Sequence, residues 1–349
     1  IKTLEMAEGD AITDSAEAFY LLKQRGIDKV IIMGVHTNLC VLGRPFGIRQ
    51  LVRQGITVTL MRDMTDTMYD PDEAPFVNHF TGNDLVFEHI ERHWCPTVTS
   101  GDILGDGVVY RFPADTRKHL VIVTAEDEYK TEETLLPFSL KELGRAFKIS
   151  IVYGDAANPN NLPGAEVISE ADLILLSVRR RPLPKSQLDL FRAHLAGGKP
   201  LVGIRTASHA FQLRDKAPPK GLEQWPDFDT SILGGNYTNH LGNEIATFAK
   251  AVEGSNTHPV MAGISSNEFK TFGSLYQNTP LAAGTTILMT GRAEGIDQVE
   301  PVAWTNTAPG GSRVFYTSLG HPDDFGIPAF RTLLRNAIHW AAGLPIPAP

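Results

Sequence analysis

The chain has 349 residues, 42% of them apolar and 21% charged, and 32 basic against 40 acidic side chains leave a net charge of −8. That length predicts two domains of about 150 residues each, and the composition is core-forming, which excludes disorder, a collagen-like repeat and a coiled coil. Neither half is basic and no apolar run approaches the ~18 residues of a membrane span, so a nucleic-acid groove, a polybasic membrane surface and a transmembrane anchor are all disfavoured.

Strand-like and helix-like segments alternate throughout, which predicts α/β architecture: two three-layer α/β/α domains with mostly parallel sheets. Asp14 caps a helical stretch, SAEAFYLLKQR, that ends at Gly26. The strand KVIIMG follows, then an apolar-periodic segment from Leu39 to Gln54, the strand ITVTLM, and a helix over about 84–93 that WCPT breaks. Periodicity lapses in a Gly-, Asp- and Pro-rich stretch over 101–117. The boundary is placed there, with 1–110 as the first domain, 111–117 as a linker and 118–349 as the second. Beyond it come the strand HLVIVT, a helix to about Phe147, the strands ISIVY and ADLILLS, a helix over about 185–195 and the strand PLVGI. Residues 214–229 hold three prolines and no period, and read as an inserted loop. The strand SRVFYTSL and an amphipathic helix over 328–342 close the chain.

Two cysteines, Cys40 and Cys95, make no disulfide framework and fit a reducing compartment, so the default location is the cytoplasm. The chain opens on Ile1 rather than Met. The expectation is a processed chain or a fragment, which leaves export open.

Cys40 falls in GVHTNLCVLGRPFGIRQ, where a strand ends and a helix begins. Unpaired N–H groups at a helix start stabilise a thiolate and can hold an oxyanion, whereas the plainer reading is a small buried side chain. Gly34, Thr37, Cys40 and Val41 fill a G-x-x-T-x-x-C-V pattern, and with RDMTDTMYD and EHIERHWCPT the segment resembles the isochorismatase-like cysteine hydrolases. The resemblance implies Cys40 as nucleophile towards an amide, imide or similar C–N bond. It also implies a cis peptide before His36 and an oxyanion hole from the backbones of His36 and Cys40. The family's Asp and Lys have no counterpart here; Lys2 is the nearest lysine, in a setting that does not match. The first domain is therefore expected to be N-terminally truncated. His79, His89 and His93 lack metal-site spacing and read as surface residues. Asp63, Asp66 and Asp70 fit turns as well as a site, and Cys95 reads as structural.

In the second half, polar clusters follow apolar strands: AEDEYK, VRRRP, RTASHAF and GHPDDF. Strand ends in an open parallel sheet form the usual ligand crevice, although charged loops follow buried strands in any case. The residues concerned are Glu126, Asp127, Glu128, Tyr129, Arg179, Arg180, Arg181, Arg205, Thr206, Ser208, His209, His321 and Asp323. GGNYTNH, HPVMAGI, EPVAWT and RVFYTSLGHPDDFGIPAFRTLLRNAIHWAAG resemble the trehalose-utilisation (ThuA-like) family. That resemblance implies a class I glutamine amidotransferase-like fold and a carbohydrate-type small-molecule ligand. The amidotransferase elbow carries cysteine in G-x-C-x-G; here GIRTASHAF places Thr206 and Ala207 where the nucleophile is needed, so glutaminase activity is not expected. Glu126, Glu128, Tyr129, Arg180, Arg205, Thr206, His209, His240 and His321 make up the expected crevice. His240 and His321 are the candidates for a divalent metal or sugar hydroxyls, and the arginines for an anionic or polyol group. His258 reads as a turn residue, and His194 and His339 as structural. An enzyme and a non-catalytic sugar-binding module both remain open, as does a homo-oligomer.

Overall fold

Two units divide the chain, Ile1–Thr116 and Arg117–Pro349, in a computed structural model that describes residues 5–105, 111–242 and 244–348. Among the described residues no helix is long and apolar enough to cross a membrane.

The first unit comprises α1 (Glu17–Gln24), β1 (Lys29–Val35), α2 (Ile48–Arg53), β2 (Thr57–Asp66), α3 (His79–His93), β3 (Thr97–Val98) and α4 (Ser100–Leu104). Its strands form a parallel sheet in the order β1-β2-β3. Alternation along β1 turns Val30 and Ile32 towards the core with Ile48, Leu51, Val58, Leu60 and Ile90, and leaves Ile31, Met33 and Val35 exposed. The expected apolar-periodic segment after β1 is not one helix. A single π-type turn, Thr37–Val41, carries Cys40, and α2 begins only after Gly47, where a β-carbon would lie 2.7 Å from the Val41 carbonyl oxygen. Helix α3 starts at His79, earlier than its apolar period indicates. Its first turns are polar: Asn78 caps the Phe80 N–H, and buried Asn83 bonds Thr67 and Asp66.

The second unit carries β4 (Lys118–Ala125), α5 (Thr131–Leu143), β5 (Phe147–Tyr153), β6 (Leu173–Val178), α6 (Lys185–Ala196) and β7 (Leu201–Ile204). There follow β8 (Asn239–His240), β9 (Thr247–Ala251), β10 (Phe269–Thr271), β11 (Tyr276–Gln277), β12 (Thr286–Ala293), β13 (Val299–Thr307), β14 (Arg313–Thr317) and α7 (Pro328–Ala341). Among the described residues nine of these strands form one sheet, ordered β10-β9-β12-β13-β14-β7-β6-β4-β5. From β14 to β5 every neighbouring pair is parallel, which is the α/β pattern expected. From β10 to β14 every pair is antiparallel, an extension that periodicity alone did not separate.

Strands β4 and β6 are buried almost end to end, which explains their unbroken apolar runs. Leu120 and Ile122 of β4 face a core shared with Leu135, Phe138, Phe330 and Leu334 of α5 and α7. Val121 and Val123 face the opposite core, with Leu188 and Phe191 of α6 and with Phe211. Each such side chain contributes roughly 1.5–3 kcal/mol of apolar burial, so this sandwich fixes the strand ends. The chain leaves β4 for β5 on one side and then crosses to β6 on the other. Ligands gather at such a reversal of strand order. Residues 214–227 carry no helix or strand beyond one isolated bridge, Leu183 to Glu223, in keeping with an inserted loop, and a π-type turn over Asp229–Leu233 ends it.

Candidate functional site

Segments following β4, β6 and β7 meet at the carboxyl edge of the parallel strands around a cavity of about 290 Å³. Glu128 and Tyr129 come from the loop after β4, Arg179 and Arg180 from that after β6, and His209 from the turn after β7. Arg214, Tyr237, His240 and Tyr276 complete its lining. Three non-glycine residues at these strand ends hold left-handed backbone: Lys130 at φ 50°, Arg180 at φ 51° and Arg205 at φ 47°. Such strain persists only where surrounding contacts over-determine it, and it gathers at functional sites. At Arg180 the constraint is visible, since its N–H donates to the His209 carbonyl at 2.9 Å.

One wall is aromatic. His209 and Tyr237 stack with ring centres 4.5 Å apart and planes 25° from parallel, and Tyr237 lies 4.6 Å from Tyr276. The two-residue strands β8 and β11 pair His240 directly with Tyr276, and the Tyr237 hydroxyl sits 3.2 Å from His240 Nδ1. Burial first, and then the charges of Arg180, Arg179, Arg205 and Arg214, push His209 well below the usual imidazole range. It is therefore neutral at pH 7, with Nδ1 3.1 Å from Ser208 Oγ. His240 is lowered as well, chiefly by burial.

Of the nine expected crevice residues, Glu128, Tyr129, Arg180, His209 and His240 line this cavity; Glu126, Arg205, Thr206 and His321 do not. Glu126 is buried, and its carboxylate accepts the N–H groups of Glu128, Tyr129 and Thr131 at 2.6–2.8 Å, holding the loop that opens α5. Thr206 is wholly buried in the turn after β7. His321 caps the turn Pro322–Gly326, and its N–H donates to Asp324 at 3.0 Å. Among the described residues no group of three or more His, Cys, Asp or Glu side chains converges as metal ligands would, and His240 and His321 belong to no such group.

Arg205 is the largest correction. Its guanidinium is 1% exposed and lies between the rings of Tyr129 and Tyr276, 4.5 and 4.3 Å from their centres. It donates to the Ser274 and Ser318 carbonyls, to Ser274 Oγ and to the Tyr129 hydroxyl. Its own carbonyl accepts the Tyr316 hydroxyl at 2.6 Å. A β-carbon on Gly273 would lie 2.6 Å from the guanidinium, so only glycine leaves it room. Arg205, and not Thr206, also occupies the left-handed position between strand and turn, where the α/β-hydrolase fold places its nucleophile. A guanidinium is not a nucleophile.

Sequence reasoning missed Tyr237, Tyr276 and Arg214. Tyr237 lies inside GGNYTNH, but its place is set from below by Asp229. Asp229 Oδ2 accepts the Tyr237 N–H at 2.6 Å, and a β-carbon on Gly235 would meet Asp229 Oδ1 at 2.7 Å. Burial raises the Asp229 carboxyl to about 7. An acid with a raised folded pKa binds more protons folded than unfolded, so it removes stability as pH climbs from about 4 to about 7 and no more above that. Asp229→Asn keeps the acceptor and abolishes the titration. Urea unfolding of the variant is expected to lack a few kcal/mol of the wild type's stability loss between pH 5 and pH 8; equal losses in both proteins would contradict the assignment.

In the first unit, Cys40 is half-buried on the turn after β1, and the Val35–His36 peptide is cis. A five-residue turn has little dipole. The Arg44 side chain first, and then the His36 backbone, lower the Cys40 thiol. Burial instead raises Cys95 to about 11. Lys2 lies outside the described residues. The acids nearby are structural: Asp63 accepts from Ser100, Asp66 from Asn83 and His79, and Asp70 from the Asp72 N–H. His89 and His93 are exposed. In the second unit, His194 and His339 are buried against the carbonyls of Pro200 and Pro345, and His258 caps a turn.

No curated protein matches this chain. Solved structures similar to it include a ThuA-like protein from Bacteroides uniformis, 20% identical, covering 66% of this chain and 95% of that one at a TM-score of 0.48. Another is a ThuA-like protein from Parabacteroides merdae, 17% identical, with 67% and 93% covered and a TM-score of 0.47. The glutaminase domain of CTPS from Trypanosoma brucei is 15% identical, with 66% and 96% covered and a TM-score of 0.37. The family described as ThuA, trehalose utilisation, matches residues 120–341. Through that match, which spans more than half of its length, the chain belongs to the ThuA family.

Proposed function

We propose that the second unit takes a carbohydrate-type small molecule into the strand-end cavity, and that the chemistry there is acid–base rather than nucleophilic. The stack of Tyr237 on His209 carries this reading. A sugar presents an apolar ring face to an aromatic wall and hydroxyls to polar groups around it, and this cavity offers both. Burial and the surrounding arginines keep His209 neutral and resist its protonation, so it serves as a hydrogen-bonding partner for a sugar hydroxyl, and the carboxylate of Glu128 at the same cavity is the acid–base group. Membership of a family described by trehalose utilisation supports the ligand class. Glutamine hydrolysis is not proposed, because arginine stands at the strained turn. The alternative is binding without turnover. Calorimetric titration with mono- and disaccharides is expected to find a binder whose affinity Tyr237→Ala lowers at least about ten-fold, the worth of one good aromatic contact. Affinity unchanged by that substitution would place the ligand elsewhere. Glu128→Gln separates the two classes: turnover lost with binding kept marks the enzyme, and no turnover in the wild type marks the binding module.

A second reading concerns the first unit. Arg44 beside Cys40 lowers its thiol and so favours the thiolate form, which fits hydrolysis of a C–N bond with the oxyanion received by the N–H groups of His36 and Cys40.

A further inference from the structure

The charges around the cavity do not cancel. Arg179 is paired with Glu128 at 2.7 Å and with Asp127 at 3.4 Å, and Arg181 with Asp127 at 3.5 Å. Arg180 and Arg214 also line the cavity, and among the described residues neither has an acidic partner within salt-bridge distance. Glu128, the acid in the lining, is taken by Arg179. Tyr237 and Tyr276 keep their hydroxyls protonated, since burial raises both further above neutrality, and His209 is neutral. Two arginines, Arg180 half-buried and Arg214 exposed, therefore line one small cavity with no acidic partner among the described residues. The arrangement is costly as it stands: Arg180 is half-buried in strained backbone and repelled by Arg214. A guanidinium pair offers up to ten N–H donors in planar forks that match the oxygens of a carboxylate or phosphate.

We infer that the ligand of this cavity carries an anionic oxygen group, a carboxylate or a phosphate, recognised by Arg180 and Arg214 while its ring lies on Tyr237. The inference rests on the proposed carbohydrate site and names the class of sugar: a sugar acid or a sugar phosphate rather than a neutral sugar. Arg214 lies on the inserted loop, so that loop contributes to specificity, whereas Arg180 is fixed by the turn after β6.

The test is calorimetry on the full chain with glucose, glucuronate, a hexose phosphate and inorganic phosphate, at low and high salt. One or both anionic sugars are expected to bind at least about ten-fold tighter than glucose, the worth of one charge-assisted contact, and high salt should shrink that margin. Arg180→Ala and Arg214→Ala, singly and together, should erase the preference and leave the melting temperature in place. Glucose binding as tightly as both anions overturns the inference, and so does a preference that survives the double substitution. Glucose binding that needs Tyr237 without any anion preference would leave the carbohydrate site standing alone. Inorganic phosphate binding that needs Arg180, with no sugar bound, would keep the anion site and remove the carbohydrate reading.

Discussion

Arg205→Ala is expected to destabilise the second unit by about 3–5 kcal/mol, a fall in melting temperature of roughly 10 °C for a unit of this size. The loss has two sources. Removing the side chain leaves a cavity between Tyr129 and Tyr276 that only shifts of those rings can fill. It also strands the carbonyls of Ser274 and Ser318, which the guanidinium satisfies in a region without water access. Arg205→Lys should recover part of the loss, since an ammonium reaches some of these oxygens but cannot stack between two rings. Arg180→Ala, on the same cavity edge, should change stability by less than about 1 kcal/mol, because that side chain is only half-buried and has no acidic partner among the described residues. Thermal unfolding of the three variants measures the contrast. Equal losses at Arg205 and Arg180 would mean that Arg205 is no more structural than its neighbour.

The second large effect is chemical. At pH 7 a thiol-directed reagent is expected to modify Cys40 at least about a hundred-fold faster than Cys95 in the folded chain. The thiolate is the nucleophile, and an ordinary thiol near 8.5 is a few per cent thiolate at neutrality. Arg44 moves Cys40 towards a larger fraction, whereas Cys95, raised to about 11, keeps only about one part in ten thousand as thiolate. Raising the pH should speed Cys95 about ten-fold per unit while Cys40 levels off once its thiolate is fully formed. Arg44→Ala should slow Cys40 at pH 7 and move its levelling-off to higher pH. Mass spectrometry of the labelled peptides reads both rates. Similar rates at the two cysteines would remove the thiolate from the first unit, and with it the hydrolytic reading there.

The parallel half of the large sheet was legible because burial on both faces writes itself as an unbroken run, as in HLVIVT and ADLILLS. The antiparallel half was not. Strands β9 and β10 are five and three residues long, and β13 carries Pro301 and a register shift opposite Met289, so their pattern is broken where it would be read. At the site, residues within a few positions of a strand end could be placed from the fold alone, which located Glu128, Tyr129, Arg180 and His209. Whether such a side chain faces the crevice or the core is set by tertiary contacts and not by its place after the strand: Arg180 and Arg205 share nearly the same φ, 51° and 47°, yet Arg180 lines the cavity and Arg205 is buried. Tyr237 and Tyr276 are nearly forty residues apart and meet through a ribbon of two-residue strands, too short to leave a period. Arg214 sits in a segment whose prolines mark a loop but say nothing of where it folds.

The cavity between Tyr237, His209 and Arg180 is proposed as the ligand site of this ThuA domain. A crystal structure of the chain grown with the tightest-binding sugar from the calorimetric panel tests it most directly. The predicted result is ligand density lying on the Tyr237 ring, within hydrogen-bond reach of Arg180 and His209. Density elsewhere on the unit, with this cavity holding solvent alone, would contradict it.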